Sequence, residues 1–226
     1  MSSTDDKAGH RQRLRARFMN AGPEALADYE LLELILFQAQ PRGDVKPLAK
    51  RLIKAFGSFA EAVSAPDDRL REIDGMGDAS IVALKSVQAA ALKLSQGRIM
   101  NKPVLAGWTA LLDYCRASMA YHPVEQFRIL FLDRKNVLIA DEIQQTGTID
   151  HTPVYPREVV KRALQLGASA IIMVHNHPSG DPTPSRSDID MTKEVQEAGE
   201  KLGVTLHDHL IIGRSGETSF KPMGLI

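Results

Sequence analysis

The sequence predicts an α/β protein with two parts, a small all-helical domain followed by a mixed β-sheet flanked by helices. Three observations carry this. Residues 1–103 repeat apolar residues at helical spacing almost throughout, whereas residues 104–226 alternate short apolar strands with amphipathic helices. The charge balance shifts at the same place, from 16 Lys/Arg against 13 Asp/Glu before residue 104 to 12 against 15 after it. Between the halves, "GRIMNKPV" (97–104) reads as a linker, because Gly97 can end a helix and Pro103 discourages a new one. The domains are therefore placed at 1–100 and 104–226.

In the first half, "ADYELLELILFQ", "VKPLAKRLIKAF" and "ASIVALKSVQAAALKLSQ" are expected helices, punctuated by Pro23, Pro41-Arg42-Gly43 and Pro66. In the second half, "QFRILFLD" and "NVLIADEIQQTG" read as strands joined by an "RKN" turn. "REVVKRALQLGA" reads as a helix opened just after Pro156 and closed by Gly167. "SAIIMVHNH" is a buried strand, "SRSDIDMTKEVQEAGEKLG" a helix and "VTLHDHLIIG" a strand.

Bulk composition excludes several classes. The 226 residues carry 28 Lys/Arg and 28 Asp/Glu, so no net charge points to nucleic acid or to a membrane surface. One cysteine, Cys115, rules out an intrachain disulfide framework and a Cys-based structural zinc site. No apolar run reaches a membrane span, and "MSSTDDKAGHRQRLRARF" has no apolar core for a signal peptide, so the expected location is the cytoplasm.

The segment "VHNHPSGDPTPSRSDI" (174–189) is not what packing asks for. Residues i and i+2 of a strand share a face, so His175 and His177 are expected to leave one side of the sheet at its C-terminal edge, where open α/β sheets place their sites. Asp188 follows one turn into the next helix. Two imidazole nitrogens and a carboxylate suit zinc, one ion per chain, with the fourth position left for water. Taken singly, these residues have plainer readings. Ser185 with Asp188 also fits a capping box, and His175 alone fits a hydrogen-bonded core histidine. Two adjacent imidazoles at a buried strand end are harder to explain by packing, because both would be costly to desolvate unpaired.

The same segment, "HNHPSGDPTPSRSD", resembles the JAMM (MPN+) metalloprotease motif at every fixed position: His-x-His-Pro, six residues, Ser, two residues, Asp. With "GTIDHTPVYPREVVKRAL" (147–164) before it, the chain over residues 10–226 resembles the RadC family. The resemblance implies a JAMM/MPN-type sheet, a cytidine-deaminase-like sandwich, and zinc-dependent hydrolysis of a peptide or isopeptide bond. It also implies a glutamate general base from an early strand, about fifty residues before the first histidine, to take a proton from a water of pKa about 7. Glu125 and Glu142 are the candidates, and position favours Glu125. In that pattern Ser185 donates to a developing oxyanion, a contact worth about 3–4 kcal/mol of barrier. Thr146, Thr148 and Asp150 are further candidates for lining the site, and His207 with His209 read as supporting residues on one strand face rather than as a second metal pair.

In the helical half, "IDGMGDASIVALK" resembles a helix-hairpin-helix module, in which glycines let backbone N–H groups approach a DNA phosphate. Asp74 and Asp78 oppose an anion there, and the basic run "HRQRLRAR" (10–17) is a second candidate contact. Together with the DNA-repair association that the RadC resemblance implies, this makes a DNA-binding protein or nuclease the alternative to a peptidase. Nucleobase-deaminase and His-Glu-x-x-His protease chemistry are excluded, because their motifs are absent.

Overall fold

The structure, a computed structural model, describes residues 5–147 and 154–226. It separates into two compact units, residues 1–90 and 91–226.

The first unit is helical. It contains α1 (Asp5–Ala21), α2 (Asp28–Ala39), α3 (Lys46–Phe56), α4 (Phe59–Ser64), α5 (Asp67–Arg71) and the start of α6 (Asp78–Ile99). Leu32, Leu36, Leu48, Leu52, Leu70 and Leu84 are fully or almost fully buried and form its core. The basic run does not read as a free patch, because it lies on α1. Arg11 donates to the Gln40 and Gly43 carbonyls at 2.8 Å each and stacks over Phe37, while Arg17 pairs with Glu30. His10 reaches the buried Glu33 carboxylate at 2.7 Å. In the glycine hairpin, Met76 points into the core and Gly75 adopts φ +88°. Arg51 donates to the Asp74 carbonyl, Gln40 to the Gly75 carbonyl, and Arg71 pairs with Asp78.

The second unit carries a sheet in the order β2-β1-β3-β4-β5. Its members are β1 (Gln126–Leu132), β2 (Leu138–Thr146), β3 (Ala170–Asn176), β4 (Thr205–Ile212) and β5 (Glu217–Ser219), with helices α7 (Trp108–Met119), α8 (Pro156–Leu166) and α9 (Arg186–Glu200). β3 and β4 are parallel and joined by α9, while the other neighbours are antiparallel. Every residue of β3 is buried, as expected of a strand covered on both faces. Leu130, Leu132, Ile172, Val174, Leu210 and Ile212 pack toward α7, whereas Phe127, Ile129, Phe131, Ile171 and Met173 pack with Val159, Ala163 and Val195 of α8 and α9. This is the mixed α/β sheet with flanking helices, preceded by a helical region, that the sequence predicts.

Two details differ from the sequence reading. Residues 97–104 are not a loose linker. α6 continues through Gly97 to Ile99, and the chain then bridges to β2 through Asn101 N to Leu138 O (3.0 Å), Leu138 N to Lys102 O (3.1 Å) and Val104 N to Asn136 O (2.9 Å). Ile99 and Val104 are buried in the sheet's core, which outweighs the modest cost of a glycine inside a helix. α7, without a marked sequence signal, covers the face of the sheet away from α8 and α9.

Candidate metal centre

The site is assembled at the C-terminal end of β3. Pairing with β1 sets Phe127 opposite His175, and the two rings stack with centroids 5.8 Å apart. Past Asn176 the chain leaves the sheet, but His177 N still donates to Ile212 O at 3.0 Å. The loop then turns at Gly180, φ +92°. Arg214 holds this loop by donating to the Pro178 carbonyl at 3.0 Å, and a side chain at Gly213 would meet Gly180 O at 2.3 Å, so only glycine fits there. Ser185 caps α9, accepting from Asp188 N at 3.1 Å, while the Asp188 carboxylate accepts from Ser185 N at 2.8 Å and from the Ser185 hydroxyl at 2.6 Å. The capping box is therefore formed, and it aims the Asp188 carboxylate at the histidines.

Three donor atoms converge. His175 Nε2 and His177 Nε2 stand 3.0 Å apart, and the Asp188 oxygens lie 3.4 Å from His175 Nε2 and 3.5 Å from His177 Nε2. Among the described residues this is the cluster of His, Cys, Asp and Glu able to hold a metal ion. Tetrahedral zinc with bonds of about 2.0–2.1 Å places its ligand atoms roughly 3.3 Å apart, close to this spacing. The other nitrogens of the rings are already engaged. His177 Nδ1 donates to the Asp181 carbonyl at 2.8 Å, and His175 Nδ1 lies 2.8 Å from His209 Nε2. A neutral His177 thus presents a bare Nε2 to its neighbour. That lone pair, beside a second imidazole nitrogen and a carboxylate, calls for a proton or a cation between them, and the donor set fits a zinc ion.

The electrostatics follow from burial. Burial pushes the His175 imidazole down to about 4, against the opposing pull of Asp188, so it is neutral at pH 7. Burial, reinforced by His175, holds His209 well below the ordinary histidine value. The hydrogen bond to Asp188 raises His177 against the effect of burial, with the Asp181 carbonyl and the Glu125 charge adding to it. For Asp188, burial alone would raise the carboxyl, but His177, His175 and the Ser185 hydroxyl and N–H outweigh it and hold the group well below the usual carboxylate range.

Glu125 sits immediately before β1, where its carbonyl accepts from Gly147 N at 2.9 Å, and it is close enough for its charge to act on His177. Asn176, the spacer between the two histidines, secures that segment. Its Oδ1 accepts from Gln126 N at 2.9 Å and its Nδ2 donates to Val124 O at 3.2 Å, so a buried side amide holds the backbone on either side of Glu125. Glu142 stands elsewhere. It is opposite Ile129, at the level of Met173, and accepts from Arg162 of α8 at 2.8 and 2.5 Å, which lowers its pKa. Thr146 pairs with Gln126 at the end of β2, and Thr148 and Asp150 lie outside the described residues.

His207 and His209 do not act as a pair. A register shift between β3 and β4 leaves His207 outside the ladder, where it meets Asn136 at 2.6 Å, while His209 pairs with Met173 and reaches His175. Thr192 of α9, without a motif to mark it, is fully buried and contacts His209 Nδ1 at 2.6 Å.

A mixed sheet whose strand end presents a His-x-His pair to an aspartate in the first turn of the next helix defines a JAB-type domain with a candidate metal pocket. Comparison with known families agrees: residues 105–225 match the RadC-like JAB domain, and residues 7–82 match the UPF0758 N-terminal domain. A UPF0758 protein of Rhodobacter capsulatus is 62% identical over 213 residues, covering 94% of this chain and 100% of that protein. A UPF0758 protein of Ruegeria pomeroyi is 59% identical over 217 residues, covering 96% and 97%. The chain belongs to the RadC (UPF0758) family.

Proposed function

We propose that the protein is a zinc-dependent metallohydrolase of the JAMM type, acting on a peptide or isopeptide bond. The observation that carries this reading is the convergence of the His175 and His177 Nε2 atoms on the Asp188 carboxylate, with both Nδ1 atoms already engaged. His175, His177 and Asp188 would hold the ion. A zinc ion bound there supplies a water of lowered pKa and a Lewis acid for a carbonyl.

The remaining work falls to the chain's own groups. Glu125 is the general base, taking a proton from the attacking water and returning it to the leaving nitrogen. Two observations support this role: its charge acts on His177, and Asn176 bonds the backbone of the residues on either side of it. Ser185 supplies the hydroxyl for the oxyanion. In the described geometry this hydroxyl donates to Asp188, so it must turn toward substrate, and the neighbouring Ser187 hydroxyl at 2.9 Å offers it a second partner. Cytoplasmic location belongs to the same reading; no helix among the described residues is long and apolar enough to cross a membrane.

The test is turnover by purified, zinc-loaded protein across peptide, isopeptide and DNA substrates, with Glu125→Gln as control. Cleavage of a peptide or isopeptide bond that is lost in the variant supports the reading. Zinc-dependent cleavage of DNA alone would replace it with a nuclease.

A further inference from the structure

We infer that His209 and Thr192 are positioning residues that set the tautomer of His175, so that its Nε2 is the bare nitrogen offered to a metal. This deepens the zinc-site reading and rests on it for its consequence, though not for its geometry.

Each hydrogen bond in this chain has one direction open to it. A peptide carbonyl can only accept, so the Thr192 hydroxyl, 2.5 Å from Asp188 O, gives its one hydrogen there. Thr192 Oγ1 can then only accept from His209 Nδ1, which lies 2.6 Å away. His209 therefore carries its hydrogen on Nδ1 and has a bare Nε2. That Nε2 faces His175 Nδ1 at 2.8 Å, so His175 must be the donor and must carry its own hydrogen on Nδ1. His175 Nε2 is left bare, 3.0 Å from His177 Nε2 and 3.4 Å from Asp188 Oδ1.

All three side chains of the relay are fully buried, so no bulk water can reverse it. Phe127 and Phe220 lie against the two rings, with centroid separations of 5.8 Å for Phe127–His175 and 4.6 Å for Phe220–His209. The relay also closes on itself. Asp188 supplies the carbonyl that orients it and the carboxylate that faces the nitrogen it uncovers. The opposite polarity would take the Thr192 hydrogen away from Asp188 O and put a hydrogen on His175 Nε2, between the proposed ligands. Histidine ligands elsewhere commonly direct their second nitrogen to a carboxylate or carbonyl. Here a second histidine serves, and a threonine one helical turn after Asp188 sets its direction.

The experiment reads tautomers and zinc affinity separately. Long-range ¹H–¹⁵N spectra of zinc-free full-length protein should show His175 and His209 as Nδ1–H imidazoles. Thr192→Val removes the hydroxyl at nearly constant shape. It should mix the tautomers of both rings and weaken zinc binding about 10- to 100-fold by competition with a chromogenic chelator. Thr192→Ser should restore both readouts. Nε2–H at His175 in the wild-type protein overturns the inference, as does wild-type zinc affinity in a folded Thr192→Val variant. If Thr192→Val does not fold, the wild-type tautomer decides. A wild-type protein that takes up no zinc refutes the proposed function, and the tautomers then decide this inference alone.

Discussion

The Nε2 atoms of His175 and His177 stand 3.0 Å apart, each on a ring whose other nitrogen is already engaged. That juxtaposition predicts about one zinc per chain. Replacing either histidine with Ala should abolish stoichiometric zinc in metal analysis of the folded protein, because each is one of three protein ligands. A folded double variant with full zinc would place the site elsewhere.

The two glutamates should separate cleanly. Glu125→Gln is expected to lower turnover by about 10²- to 10⁴-fold, the usual contribution of a general base, with zinc content unchanged. Glu142→Gln breaks only a partly exposed pair with Arg162 and should change stability by less than about 1 kcal/mol. A large loss of turnover in Glu142→Gln, with Glu125→Gln active, would reverse the roles.

A fragment comprising residues 91–226 should fold alone and retain zinc, since the sheet's core includes Ile99 and Val104 and the three proposed ligands follow residue 174. Cutting after Val104 removes those two buried side chains and should lower the melting temperature relative to the longer fragment. An unfolded 91–226 fragment, by circular dichroism, would show that the helical unit completes its core.

Zinc-free protein should lose stability on acidification below about pH 6.5. The His175 value is about 4 in the folded state against an ordinary 6.5, so the unfolded state binds more protons across that window. Stability therefore falls as pH falls, by about 3 kcal/mol from this residue between pH 6.5 and 4. His209 acts in the same direction. His177, raised in the folded state, opposes them: its contribution is present below pH 6.5 and is lost as pH rises through its folded value. Asp188, held low, contributes above the ordinary carboxylate value and gives way only in stronger acid. Melting curves at pH 7 and 4.5 check the net sign, and an equal melting temperature at both would contradict it.

The glycine hairpin has its own test. As a phosphate-binding element it predicts weak duplex-DNA binding that falls with salt through counterion release. Gly77 is the useful position, since a Cβ there meets nothing within 4 Å, whereas Gly75 has φ +88° and Arg51 at 3.2 Å. Gly77→Val should weaken binding with zinc content and melting unchanged, while Arg13 and Arg15 substitutions test the basic run of α1. If no salt-sensitive binding appears at low ionic strength, the hairpin is a packing turn.

Sequence alone determined what local chemistry controls. The unbroken apolar run "AIIMV" marked a buried strand, Pro156 and Gly167 bracketed α8, and the spacing from His175 to Asp188 placed three donors within one strand, one loop and one helical turn. These relationships are short-range, so residue type and spacing suffice to state them. Tertiary structure decided what depends on elements far apart in the chain. The register shift in β4 separated His207 from His209, and parallel pairing with β3 brought His209 to His175, 34 residues away. Thr192 has no motif, and its role arises because α9 lies over the end of the sheet. The surroundings of Glu142 likewise depended on register, which set it opposite Ile129 and within reach of Arg162 on α8. Helix and strand periods can be read from neighbouring residues, but the direction of a hydrogen bond between buried side chains is fixed only when packing brings donor and acceptor together.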